Sequence, residues 1–165
     1  LICKLYLTVI RGTPSTVQLL IMYFIIFGSS QNMLAAAIIS FGVNSGAYVA
    51  EIVRSGIMSI PKGQMEAGRS LGLDYATTMR CVIIPQAIKN ILPALGNEVI
   101  VMIKQTSLAS VFFFGELMTA YKQVQSTTFL ALEPLTISGL IYLFLTVTLS
   151  RITRHFEKRM KQNER

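Results

Sequence analysis

Residues 12–50 read GTPSTVQLLIMYFIIFGSSQNMLAAAIISFGVNSGAYVA, and no side chain among them carries a charge. Roughly 20 consecutive apolar residues cross the hydrocarbon core of a bilayer, so this run holds most of two crossings. The composition agrees. Of 165 residues, 52% are hydrophobic and only 14% are charged, against about 25% charged in an average soluble domain. Core helices of a soluble protein are shorter and keep a polar face. The fold class that follows is an all-α membrane protein, with residues 1–165 forming a single transmembrane domain.

Working outward, four crossings are expected: residues 5–27, interrupted by Arg11-Gly12-Thr13-Pro14, then 33–58, 95–117 and 135–153. Gly28-Ser29-Ser30-Gln31-Asn32 reads as a short outside turn, and 118–133 as an outside stretch leading to Pro134. The net charge of +7 is unevenly placed. Six of the 15 basic residues fall in the last fifteen positions (Arg151, Arg154, Lys158, Arg159, Lys161, Arg165). Lys62, Arg69, Arg80 and Lys89 lie in residues 59–95, with Arg54 just before them, whereas 115–133 holds only Lys122. That is the positive-inside pattern, which puts 59–95 and both chain ends in the cytoplasm. It accounts for the charge through membrane topology and lipid, without nucleic acid. Cys3 and Cys81 make no disulfide framework, since Cys81 falls on the reducing side. No metal-ligand spacing is present, and His155 lies in the basic tail. The chain opens in an apolar segment, LICKLYLTVI, without the charged start and cleavage site of a secretory signal. It reads as a fragment or a product lacking its first part.

The polar interruption, SIPKGQMEAGRSLGLDYATTMRCVIIPQAIKNILPAL at 59–95, carries the most specific information. Pro61 and Gly63 stop the second crossing. Residues 64–71 suit a short helix closed by Gly72 in the left-handed position past its end. Asp74 suits the N-cap of a second piece, 75–84. Pro85 and Pro93 let the chain bend back toward the bilayer. A helix of this kind across the surface of a membrane protein is either a plain amphipathic element or a handle for a soluble partner.

The spacing favours the handle. Glu66-Ala67-Gly68, then Gly72, then Val82-x-Ile84-Pro85 resembles the EAA signature of ABC importer permeases, with Gly68 in place of Ala, Val82 of Ile and Ile84 of Leu. Gly68 would loosen the short helix by about 1 kcal/mol relative to Ala. Further stretches resemble the polar amino acid branch of that family, which imports histidine, glutamine, glutamate and arginine. They are Arg11-Gly12-Thr13-Pro14 with Val17-Gln18-Leu19, residues 47–54, Pro61-Lys62-Gly63-Gln64, residues 92–98, and Lys104-Gln105-Thr106-Ser107-Leu108-Ala109-Ser110. The resemblance covers nearly the whole chain. It implies a type I importer permease bundle, for which the family usually has five crossings, so the first is expected to be missing here. It also implies an ABC ATPase subunit, a second permease subunit (identical or related) and an extracytoplasmic solute-binding protein as partners, in a bacterial inner membrane. The helix at 64–71 would dock on the ATPase and act as a lever through Gln64, Glu66, Ala67, Gly68, Arg69, Gly72 and Pro85.

Within the membrane, ionisable and polar residues are candidates for the solute path. Glu51 and Arg54 share a helix face. They form either an ion pair that orders the bundle or a partner for the two charges of an amino acid. Pro14 frees a backbone carbonyl in the first crossing, and broken transporter helices present such groups to solutes. Arg11 and Thr13 stand beside it, although Arg11 can also snorkel to headgroups. Asn44 and Tyr48 either line the path or pack helix on helix, as does Ser45. Lys104, Thr106 and Ser107 begin a polar face on the third crossing, with Lys104 as path residue or headgroup anchor. No phosphate loop of the G-x-x-x-x-G-K-[ST] type and no nucleophile–base set occur. The chain is therefore expected to be no enzyme and to bind no cofactor, with ATP and Mg held by the separate ATPase. Two other readings stand beside it: a non-transporting scaffold derived from a truncated permease, and a permease for another small solute such as methionine or an opine.

Overall fold

The structure, a computed structural model, describes residues 1–28, 32–112 and 114–162, with side chains through 159. Ser29, Ser30 and Gln31 of the expected turn, the Lys161 side chain and Arg165 lie outside the described residues. The described residues form eight α-helices in order: α1 (Ile2–Gly12), α2 (Ser15–Ile21), α3 (Met33–Met58), α4 (Lys62–Ser70), α5 (Tyr75–Thr78), α6 (Ile84–Gln105), α7 (Leu117–Thr128) and α8 (Leu132–Gln162). A π-turn, Met22–Ile26, extends α2; another, Met79–Ile83, joins α5 to α6; and a 3₁₀ segment, Thr106–Phe112, extends α6.

Among the described residues, two helices alone are long and apolar enough to cross a membrane: α3, with mean hydropathy 1.5, and α8, with mean hydropathy 1.6 over Leu132–Arg159. Two bent pairs bring the total to as many as four. Ile2–Gly12 and Ser15–Ile26 meet at 107°, and Tyr75–Phe112 meets α7 at 45°. The first expected crossing is thus sharply broken where its sequence interruption falls. Pro14 sits before α2 with φ −62° and ψ 136°, and Thr13 is extended at φ −117° and ψ 147°, the conformation a following proline favours.

Several boundaries differ from expectation. Gly63 lies inside α4, and Pro61, with φ −56°, is its N-cap. The third crossing begins as a helix near Ile84 rather than 95, because the preceding π-turn gives Pro85 a place at the start of α6; Pro93 lies within α6. Its α-helical part ends at Gln105, and Leu117 opens α7, a helix in the stretch expected only as an outside connection. Glu116 starts it by accepting bonds from Met118 N–H at 2.8 Å and Thr119 N–H at 2.6 Å. α8 extends past the expected 135–153 at both ends, with Pro134 in its first turn, where a missing N–H does no harm.

The centre is the α3–α6 pair, with α1 and α2 on α3 and α8 on α6. Small residues set these distances, as expected where lipid supplies no hydrophobic drive between helices. Ala36, Ala37, Ser40 and Ala47 of α3 and Ala87 of α6 are buried. A Cβ on Gly56 would lie 2.2 Å from Ile91 Cγ1, and one on Gly96 would lie 2.3 Å from Thr153 Cγ2. Only 6% of the α8 apolar window is buried, against 33% for α3. α8 is thus the outer helix of the chain, with Leu143 and Phe144 pointing away from it.

Candidate coupling surface and translocation path

α4 is closed by its own backbone. Leu71 is the C-cap, Gly72 stands at φ +84°, Leu73 N–H donates to Gly68 O at 3.1 Å and Gly72 N–H donates to Arg69 O at 3.0 Å. This is the Schellman pattern, and it needs a residue without a Cβ penalty at the left-handed position. Two residues on, Asp74 caps α5 by accepting from Thr77 N–H at 3.1 Å. Hydrogen bonding from the Thr77 side chain, and then from its N–H, holds the Asp74 carboxyl below the usual carboxylate range. Because the ends of α4 need no side chain of its own, Glu66, Ala67 and Arg69 stay exposed. Gln64, also exposed, accepts a bond from Gln86 Nε2 at 3.3 Å. Pro85 is exposed at the start of α6.

Gly68 has a different role from the loosening its sequence context suggests. It is buried against Thr78, which is 0% exposed. A Cβ at position 68 would lie 2.5 Å from Thr78 Cγ2 and 3.0 Å from Thr78 Oγ1. Thr78 is β-branched, and its hydroxyl donates to Asp74 O at 2.8 Å, so it cannot swing aside cheaply. The methyl that alanine would place on α4 is supplied from α5 instead.

The path candidates fall into three places. At the first, Glu51 receives both Arg54 Nε (2.9 Å) and Arg54 Nη2 (2.5 Å), and Arg11 Nη1 lies 3.4 Å from Glu51 Oε2. The Arg11 guanidinium also lies 5.8 Å from the centre of the Tyr48 ring, within cation–π range. The i,i+3 spacing made the Glu51–Arg54 pair legible; the approach of Arg11 depends on the α1–α3 packing. A carboxylate between two guanidiniums leaves surplus positive charge, which suits an anionic group.

At the second, the bend after α1 is held by Gln18, which the sequence reading did not single out as a site. Gln18 Nε2 lies 2.7 Å from Ile10 O, 3.1 Å from Thr13 O and 2.8 Å from Thr13 Oγ1. The Ile10 carbonyl is the one that Pro14 deprives of a partner, so Gln18 occupies it. Thr13 Oγ1 donates to Val9 O at 2.8 Å, and Gln18 Oε1 accepts from Asn44 Nδ2 at 2.9 Å. Asn44 is buried, and its Oδ1 has no hydrogen-bond partner among the described residues. Next to it on α3, Ser45 Oγ donates to the buried Glu98 of α6 at 3.2 Å. Glu98, an acid at membrane depth, carried the signal that would have marked it.

At the third, Lys104 and Ser107 line a cavity of about 350 Å³ together with Met118 and Tyr142. The Tyr142 hydroxyl lies 3.4 Å from Glu116 Oε2. Thr106 turns its hydroxyl onto Ile103 O at 2.7 Å. Lys104 lies in the last turn of α6 and Thr106 and Ser107 in the 3₁₀ segment after it, whereas the first two places are centred on α1 to α3.

A bundle of broken apolar helices around scattered polar groups, with one short polar helix beside it, is the architecture of a membrane permease subunit. Residues 2–162 match the family described as binding-protein-dependent transport system inner membrane component, and the chain belongs to that family. It is 40% identical over 166 residues to the arginine transport system permease protein ArtQ of Bacillus subtilis (strain 168), covering 99% of this chain and 76% of that protein. It is 40% identical to the glutamine transport system permease protein GlnP of Escherichia coli (strain K12), covering 97% of this chain and 75% of that one. Among solved structures, an amino acid ABC transporter crystallised with histidines matches at TM-score 0.89 and 48% identity, over 94% of this chain and 74% of that chain.

Proposed function

We propose that this chain is the permease subunit of an ATP-driven importer of polar amino acids, acting as a single transmembrane domain. The observation that carries the coupling role is α4. Its backbone and its buried glycine anchor it, and Glu66, Ala67 and Arg69 remain exposed for a partner. In this reading α4 and the basic end of α8 face the cytoplasm, in keeping with the charge distribution. α4 seats on an ABC ATPase subunit that holds the ATP and Mg, and an extracytoplasmic binding protein delivers the solute. A second permease subunit, identical or related, completes the pore. Closure of the ATPases on ATP moves α4, which turns the bundle from inward to outward access, and hydrolysis resets it. The cargo class follows the arginine and glutamine permeases that the chain resembles and fits the chemistry of Arg11, Glu51 and Arg54. The guanidiniums suit a carboxylate, and the buried Asn44 Oδ1 and Glu98 suit an ammonium.

Glu66→Lys and Gly72→Arg are expected to abolish uptake and weaken co-purification of the ATPase, with the chain still in the membrane. Normal transport by both would sink the coupling role. Uptake of a panel of labelled amino acids by vesicles holding the full complex and its binding protein tests the cargo. Accumulation of none of them would favour the scaffold reading.

A further inference from the structure

We propose that Thr78, Gln86 and Asn90 are positioning residues that lock α4 to the helical rod Tyr75–Phe112, so that a push on α4 reaches Lys104 and Ser107 at the rod's far part. This inference rests on the coupling role proposed for α4.

The chain connection alone would not do it. Residues 71–74 form a turn on Gly72, and around a Cβ placed at Gly72 there is no atom within 4 Å. A nine-residue helix hung on such a turn pivots. Three contacts remove that freedom. Near the turn, Thr78 fills the space over Gly68. Toward the start of α4, Gln86 Nε2 bonds to Gln64 Oε1 at 3.3 Å and also to Val82 O at 2.9 Å, which ties α4 to the π-turn. Ahead of α4, Asn90 Nδ2 donates to Ser59 Oγ at 2.8 Å, and Ser59 Oγ donates to Gly56 O at 2.7 Å, which ties the end of α3, and so the chain entering α4, to the same face of α6.

Gln86 and Asn90 stand one helical turn apart on one face of α6. Thr78 and Gln86 hold the two ends of α4, and Asn90 holds the end of α3 that leads into it, so the tilt of α4 against α6 is fixed from both sides. From Thr78 to Lys104 a helix rises roughly 40 Å. A small tilt at the base therefore becomes a shift of ångströms beside the cavity that Lys104 and Ser107 line with Met118 and Tyr142. Without the clasps, α4 would follow the ATPase while the rod stayed behind.

The test uses the full complex in vesicles, with the binding protein and a transported amino acid. It measures uptake, stimulated ATP hydrolysis and ATPase co-purification. In the double variant Gln86→Leu/Asn90→Leu the ATPase is expected to stay bound and to hydrolyse ATP. Amino acid moved per ATP falls about five-fold or more, the scale of a typical coupling factor. Gly68→Ala lowers the same ratio, and adding Thr78→Ala, which removes the colliding methyl, restores it. Loss of the ATPase, an equal fall of hydrolysis and uptake, or no change in the double variant would each overturn the clasp, as would failure of Thr78→Ala to rescue Gly68→Ala. The underlying reading fails separately, if Glu66→Lys keeps both the ATPase and uptake.

Discussion

Two chain reversals in this molecule solve the same problem with different means. At Thr13–Pro14 the chain turns through 107°, and the groups left open are closed by side chains: Gln18 on Ile10 O and Thr13, and Thr13 on Val9 O. At 71–74 the backbone closes itself through Leu73 N–H to Gly68 O and Gly72 N–H to Arg69 O. The first lies beside a cavity lined mainly by apolar side chains, among them Val9, Ile10, Val17 and Ile21, with Thr13, Gln18 and Ser40. It therefore uses up its polar side chains. The second is exposed and leaves the Glu66 and Arg69 side chains uncommitted to its closure. A polar residue at one reversal is structure, and at the other it is available surface.

Substitutions can break this contrast. The largest effect is expected from Gln18→Leu, which strands Ile10 O, Thr13 O and the Asn44 amide. The bonds to Ile10 O and from Asn44 are part-buried and those to Thr13 are exposed; at about 1–3 kcal/mol for each buried bond left unmade, the first two dominate, and thermal unfolding of the detergent-purified chain should show a loss of about 3 kcal/mol. Gly68→Ala comes next, at about 2 kcal/mol for forcing a methyl into a filled site, with Thr78→Ala recovering part of it in the same assay. Gly72→Ala should cost about 1 kcal/mol, the penalty of the left-handed conformation. Gly63→Ala, in ordinary helix with nothing near its Cβ position, should instead stabilise by up to about 1 kcal/mol. If Gly72→Ala and Gly63→Ala act alike, the backbone closure of α4 is misread.

The smallest effect is one of pH. The Asp74 carboxyl is held below its usual range by Thr77. Its stabilising contribution is therefore complete above the unfolded value of about 3.9 and is lost as pH falls through the lower folded value. Hydrogen exchange at Thr77 N–H should show increased opening on acidification below about pH 4, and Asp74→Asn should remove that dependence.

Much of this was legible beforehand. The short helix α4, its glycine stop and the Asp74 cap follow from local chemistry, and residues 64–71 anticipate α4 within a few positions. Glu51 and Arg54 pair because helical spacing makes them neighbours. The misses share a cause. Pro85 and Pro93 read as places to bend, yet both sit in α6, because a π-turn and the packing on α3 and α8 carry the helix through. Gly68 read as a soft point because propensity describes a helix alone, whereas here Thr78 sits over it. α7 was missed because Glu116 supplies its cap at the end of a segment whose hydropathy suggested a continuing crossing.

The sequence by itself settles that the chain is built of apolar helices, where its charges fall along the chain, and the EAA-like signature of α4, since these depend on side-chain type and on neighbours a few residues away. Only the tertiary structure decides that Arg11 reaches Glu51, that Gln18 occupies the carbonyl freed by Pro14, that Ser45 meets Glu98, and that Thr78 fills the space over Gly68. Each of these depends on how closely two helices approach, and that distance is set by the smallest residues between them.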